Sequence, residues 1–186
     1  MIVAVIGDSI SAGSPLWDPD PAVRARIEQP DERSQWQWWA ARTDPSLEFR
    51  TRAAYGKRTD EIAAFLDDVV DGADVLVVQG GINDVAQRRR VEDAARNLAA
   101  VLGRCRALGL PVALADVLPW PAGGDRAARE IARLNELIHA VPDVTPLPFH
   151  DTLAASDVPW SDDGDHPSVV GHRLLGERAF RLPSDV

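Results

Sequence analysis

Residues 2–6, Ile-Val-Ala-Val-Ile, form an unbroken apolar run that is rich in β-branched side chains and halted by Gly7. A strand buried on both faces of a parallel sheet reads this way. Two further runs, 73–78 and 111–117, repeat the signature, and 47–53 and 144–149 suit a second and a fifth strand. Pro146 and Pro148 confine the last of these to a sheet edge, because proline has no N–H to give to a ladder. Helix-length stretches separate the strands. In 91–108 the residues Val91, Ala94, Ala95, Leu98, Val101, Leu102, Cys105 and Leu108 make one apolar stripe, with Gly109 just past its end. Further helices are expected over 34–42, 59–70 with Thr59 as N-cap, 125–141 and 168–180. Strand alternating with helix implies a five-stranded parallel sheet covered on both faces. The fold class is α/β, a three-layer α/β/α sandwich, and residues 1–186 read as one domain.

Composition narrows the function classes. A formal net charge of −9 argues against nucleic acid and against anionic membrane surfaces. Cys105 is the lone cysteine, so no internal disulfide forms, and its place in the stripe makes it a core thiol. No signal-peptide pattern and no stretch of transmembrane length is present, so a cytoplasmic location without membrane insertion is expected. Residues 11–33 carry Gly13, Pro15, Pro19, Pro21 and Pro30. A connection this long is usually functional, with room for a short helix at 23–29.

The chemistry-bearing residues cluster where strands end. Gly7-Asp8-Ser9 turns at the carboxyl end of the first strand, the edge at which open α/β sheets bind ligands. Alone, such a serine is more often a local cap than a nucleophile. His166 precedes Pro167, which suits the first position of a helix, and Asp163 lies three residues earlier. A serine hydroxyl becomes nucleophilic when a neutral imidazole takes its proton, and a carboxylate holds that imidazole in the correct tautomer. The bland alternative for 162–168 is a solvated acidic turn; its spacing is not that of a calcium loop. His139 and His172 have surface-like neighbours, and His150 follows the edge strand beside Asp151. Acyl transfer also needs donors aimed at developing negative charge. Ser9 N–H, Gly56 N–H and the Asn83 side-chain amide are the candidates.

With these residues in place the chain resembles the SGNH hydrolases, also called GDSL esterases and lipases, nearly from end to end. Gly7-Asp8-Ser9-Ile10 is similar to the family's first block, with Ile where Leu is common. Gly56 matches the glycine of the second block, though Ala53-Ala54-Tyr55-Gly56 is a loose version of it. Gly81-Ile82-Asn83-Asp84 resembles the G-x-N-D block, and Asp163 to Pro167 the D-x-x-H block. The resemblance implies Ser9 as nucleophile, His166 as base and Asp163 as its orienting partner. It also implies an oxyanion hole of Ser9, Gly56 and Asn83, and a flavodoxin-like sandwich. The G-x-S-x-G elbow of the α/β-hydrolase fold is absent.

The expected activity is ester hydrolysis through an acyl-enzyme, on a small-molecule ester with a short acyl or O-acetyl group, without cofactor or metal. Acyl transfer at the same site, or an inactive ligand-binding protein on a hydrolase scaffold, are the alternatives. Trp17, within 11–33, and Trp120, after the fourth strand, are expected to narrow the pocket or to stack against a sugar ring.

Overall fold

All five expected strands form, as β1 (Ile2–Gly7), β2 (Glu48–Ala53), β3 (Val75–Val78), β4 (Val112–Ala115) and β5 (Thr145–Leu147). The computed structural model describes residues 1–157 and 160–182. The strands lie in the order β2-β1-β3-β4-β5, and every neighbouring pair is parallel. This is the flavodoxin-like winding, whose order reverses between β1 and β3 and so opens a crevice beyond their carboxyl ends.

Successive strand residues point to opposite faces, and each set finds its own core. Ala4, Ile6, Leu76, Val78, Val112 and Leu114 pack on one side with α4 (Thr59–Ile62), α5 (Leu66–Val69), α7 (Val91–Ala107) and α8 (Gly124–His139). Val3, Val5, Val75, Val77, Ala113 and Ala115 pack on the other with α3 (Trp36–Thr43), α9 (Phe149–Ala154) and the turn Leu175–Ala179 after α10 (Val169–Leu174). Trp36 anchors this second layer, with the rings of Phe49, Phe149 and Phe180 at centroid distances of 5.6, 5.6 and 5.5 Å. Each such buried side chain contributes roughly 1.5–3 kcal/mol relative to exposure. Among the described residues, no helix is long and apolar enough to cross a membrane.

Local departures from the sequence expectation have local causes. Residues 59–70 are not one helix: Ala63–Phe65 tightens to a 3₁₀ turn between α4 and α5. Thr59 does not cap α4 but opens it, and Arg58 holds the cap position. The stripe of α7 buries as expected up to Cys105, but Leu108 lies past the helix end and is 61% exposed. β5 stops at Leu147, and Phe149 turns inward as the first residue of α9. In 11–33 the helical turn is α2 (Pro21–Arg24), earlier than 23–29, because Asp20 caps it through Ala22 N–H and Pro21 is preset for a first turn. Pro167 is not a helix start: it pairs with Trp160 in an isolated bridge, and Ser168 is the cap of α10.

Candidate active site

The turn after β1 is held from several directions. Asp8 caps α1 (Ser9–Ala12) by accepting Ile10 N–H at 2.9 Å, which makes Ser9 the first helical residue. Its N–H is one of the orphan donors of a first turn. Gln79, just past β3, accepts from Ser11 N–H at 3.2 Å and from Ser11 Oγ–H at 2.9 Å. Gln37 donates to Ser11 O at 2.8 Å and Trp36 Nε1–H to Ser11 Oγ at 3.2 Å. There is no room for a side chain at Gly7, whose Cβ would sit 2.7 Å from Ser11 Oγ and 2.9 Å from Gln79 Oε1. Full burial pushes the Asp8 carboxyl up to about 6, against the pull of the Ile10 N–H.

The turn after β3 enters a helix that sequence reading did not foresee, α6 (Ile82–Ala86). Gly81 begins it at φ +118°, where a Cβ would meet Leu134 at 2.8 Å and Val117 at 2.9 Å. Asn83 and Asp84 then face different tasks. Asn83 Nδ2 gives one proton to Lys57 O at 3.0 Å and keeps its second free of that bond. Asp84 is buried and accepts from Thr59 N–H and Thr59 Oγ–H, both at 3.0 Å. It therefore holds α4 against α6, which is why Thr59 opens its helix and does not cap it. Burial raises the Asp84 pKa, and the two Thr59 donors counter it.

The third component is a self-contained turn. Asp163 Oδ1 accepts Asp165 N–H at 2.9 Å and His166 N–H at 3.0 Å, while Oδ2 lies 2.7 Å from His166 Nδ1. Ser161 N–H donates to His166 O at 2.8 Å and closes the turn. Desolvation is the largest single influence on Asp163 and raises its pKa. The two backbone donors and the imidazole together outweigh it and hold the carboxyl below its ordinary value.

Ser9, Asn83 and His166 line one cavity of about 140 Å³, together with Ile10, Tyr55, Ile82, Ala86, Trp120 and Asp165. Asp163 stands behind His166. Gly56 is not in the cavity lining: it sits at φ +74° in the turn after β2, tied to α6 through Gln87 Nε2 donating to its carbonyl at 3.2 Å. Among the described residues, no protein acceptor takes its N–H. Trp120 Nε1–H donates to Asp165 Oδ1 at 2.7 Å on the cavity rim. Trp17 does not reach this cavity; it lines a neighbouring pocket that also touches His166.

Other residues emerge only in three dimensions. Tyr55, 70% exposed, lays its ring 5.9 Å from the His166 ring at 38°. No spacing in the sequence marks it. His172 is fully buried, contrary to its surface-like neighbours, and burial lowers its pKa to about 3. His139 is half-exposed and pairs with Asp116 at 2.7 Å, and neither lines the cavity that holds Ser9. Among the described residues, no three His, Cys, Asp or Glu side chains converge as a metal site requires.

Residues 5–174 match the family described as GDSL-like lipase/acylhydrolase. No curated protein sequence matches the chain. Among solved structures, a G-D-S-L family lipolytic protein from Veillonella parvula aligns with TM-score 0.75 and 16% identity, over 95% of this chain and 94% of that one. The lipase/acylhydrolase of Enterococcus faecalis aligns with TM-score 0.74 and 18% identity, over 94% and 91%. A psychrotrophic esterase of Pseudoalteromonas, solved with monoethylphosphonate as inhibitor, aligns with TM-score 0.68 and 16% identity, over 94% and 92%. Identities this low speak for the shared fold.

Proposed function

The chain belongs to the GDSL-like lipase/acylhydrolase family of ester-hydrolysing enzymes, and from that premise we propose a serine esterase that works through an acyl-enzyme. The observation that carries it is the convergence of Ser9, Asn83 and His166 on one cavity, with the Asp163 carboxylate 2.7 Å behind the imidazole. With Nδ1–H given to Asp163, the His166 lone pair lies on Nε2, the nitrogen a general base needs. Ser9 Oγ attacks the ester carbonyl as His166 takes its proton. The carbonyl oxygen becomes an oxyanion, met by Ser9 N–H and the remaining Asn83 amide proton. Gly56 N–H, outside the cavity lining but without a protein acceptor among the described residues, is the third donor in this reading. Collapse breaks the C–O bond, and His166 returns the proton to the departing alcohol. Water, deprotonated by the same imidazole, then frees the acid and Ser9. Each oxyanion donor contributes roughly 3–4 kcal/mol to the transition state.

A cavity of about 140 Å³ favours acetyl to butyryl groups over long chains. Across p-nitrophenyl esters of increasing acyl length, kcat/KM should peak at the short end. A maximum at long chains would mean that the cavity opens into an acyl channel. A fluorophosphonate should label Ser9 alone, and Ser9→Ala should lose activity. Labelling elsewhere, or an active Ser9→Ala, would end the serine reading. EDTA should leave the rate unchanged, and a loss restored by zinc would contradict the scheme.

A further inference from the structure

Beside the nucleophile cavity lies a second pocket of about 360 Å³, with Trp17, Asp18, Val23, Ile27, Tyr55 and His166 in its walls. The two spaces share Tyr55, Asp165 and His166. In the scheme above His166 hands its proton to the departing oxygen, so the adjoining pocket, which His166 also lines, is the space open to the alcohol part of the ester. Asp18 is the unusual member of its lining. The residue is only 5% exposed, yet one carboxylate oxygen is unclaimed. Oδ1 accepts Asp20 N–H at 2.8 Å, and among the described residues no donor reaches Oδ2. Arg24, the nearest cationic side chain on this segment, makes no side-chain bond to it: its Nη1 donates to the backbone carbonyl of Asp18 at 2.9 Å and its guanidinium lies 4.4 Å over the Trp17 ring, so its charge, with that of Arg52, acts on the carboxylate without pairing with it.

We propose that this pocket takes a substituted ammonium group on the alcohol side of the ester, with Asp18 as the specificity-determining residue. Three carboxylates, of Asp18, Asp163 and Asp165, line the pocket, and among the described residues no lysine or arginine does. Asp163 is engaged with His166 and Asp165 with Trp120, which leaves Asp18 to meet a ligand. The Tyr55 ring and the apolar side chains of Val23 and Ile27, beside a Trp17 ring one face of which Arg24 already covers, suit an alkylated cation better than a bare metal ion or a small anion. Burial raises the Asp18 pKa and so disfavours its charge, and a bound cation would favour the ionised form against it.

This inference rests on the esterase reading, and its test separates the two. Acetylcholine and its carbon isostere 3,3-dimethylbutyl acetate differ in charge at one atom. The wild type should favour the cationic ester in kcat/KM by about tenfold, and Asp18→Asn should bring the ratio near one. Because the ratio is internal to each protein, partial misfolding lowers both rates and leaves it unchanged; Asp18→Ala serves as a second variant. A wild-type ratio near one, or a ratio unmoved in both variants, would overturn the proposal. Choline binding, measured by calorimetry, reads the pocket without turnover. If neither ester is hydrolysed, the esterase reading fails, while choline binding that is lost in Asp18→Asn still supports the cation site. Equal choline binding by wild type and Asp18→Asn would sink it.

Discussion

The molecule contains two aspartate–histidine pairs at the same distance, 2.7 Å, in opposite settings. In Asp163–His166 the imidazole is buried, 9% exposed, and the carboxylate is partly open, 34% exposed. In Asp116–His139 the carboxylate is buried, 3% exposed, and the imidazole faces water at 53%. Asp163 is fed by two backbone N–H groups that hold its proton affinity down. For Asp116 burial dominates and pushes the carboxyl up, with His139 only partly countering it. The difference shows that distance does not make a catalytic pair. A base must face a cavity beside a nucleophile, and of these two pairs the first does.

The largest expected effect breaks the pairs apart by chemistry. Asp163→Asn should lower kcat on p-nitrophenyl acetate by about 10⁴-fold, because an amide no longer selects the Nδ1–H tautomer. Asp116→Asn should stay within about twofold of the wild type, and Asp165→Asn should fall far closer to the wild type than Asp163→Asn does. Comparable losses in Asp116→Asn and Asp163→Asn would erase the distinction drawn here.

A third imidazole, with no carboxylate partner among the described residues, sharpens the comparison through pH. Both ring nitrogens of His172 are buried without a partner among the described residues, and its pKa falls from 6.5 to about 3. Below 6.5 the unfolded chain binds a proton there that the folded chain refuses. Stability should therefore drop as pH falls from about 6.5 towards 3, by as much as about 5 kcal/mol if nothing else titrated. Asp8 works the other way: with its value raised from 3.8 to about 6, it weakens the fold as pH rises across that window. Urea denaturation of His172→Leu between pH 4 and 7 should accordingly show stability declining with pH, where the wild type is flatter. An unchanged slope would mean that His172 is protonated in the folded state.

The smallest effect concerns the second pair. His139→Ala removes the partner of a buried carboxylate and should cost about 1–3 kcal/mol in urea midpoint stability, with kcat unaltered. A matching loss of kcat would tie this pair to the reaction after all.

How far these regions were legible in the sequence follows the range of their contacts. The Asp163–His166 turn closes within three residues, so spacing reveals it. β1, β3 and β4 announce themselves because a doubly buried strand must be apolar along its whole length, whereas the edge strand β2 carries Glu48, Arg50 and Arg52 and shows no such run. Contacts across 25 residues, such as Asp84 to Thr59, leave no trace in either segment alone, so Thr59 reads as a cap. Tyr55 over His166 bridges more than a hundred positions, and no periodicity encodes it. His172 sits in a short helix flanked by Gly171 and Arg173, where pattern is too brief to show that the helix is wedged against α3 and α9.

One further feature bears on how such a molecule is altered. The segment that walls the pocket leaves the sheet beyond α1 and returns before α3 with its two ends stitched together. Ser34 Oγ–H donates to Gly13 O at 2.7 Å and Asp31 N–H to Leu16 O at 2.8 Å. Everything between is a closed loop on a fixed hem, contributing no strand to the sheet. Such a stretch is a cassette. Replaced by another of equal span, it would redraw what the enzyme accepts while the stitches and the turn at Ser9 stay as they are.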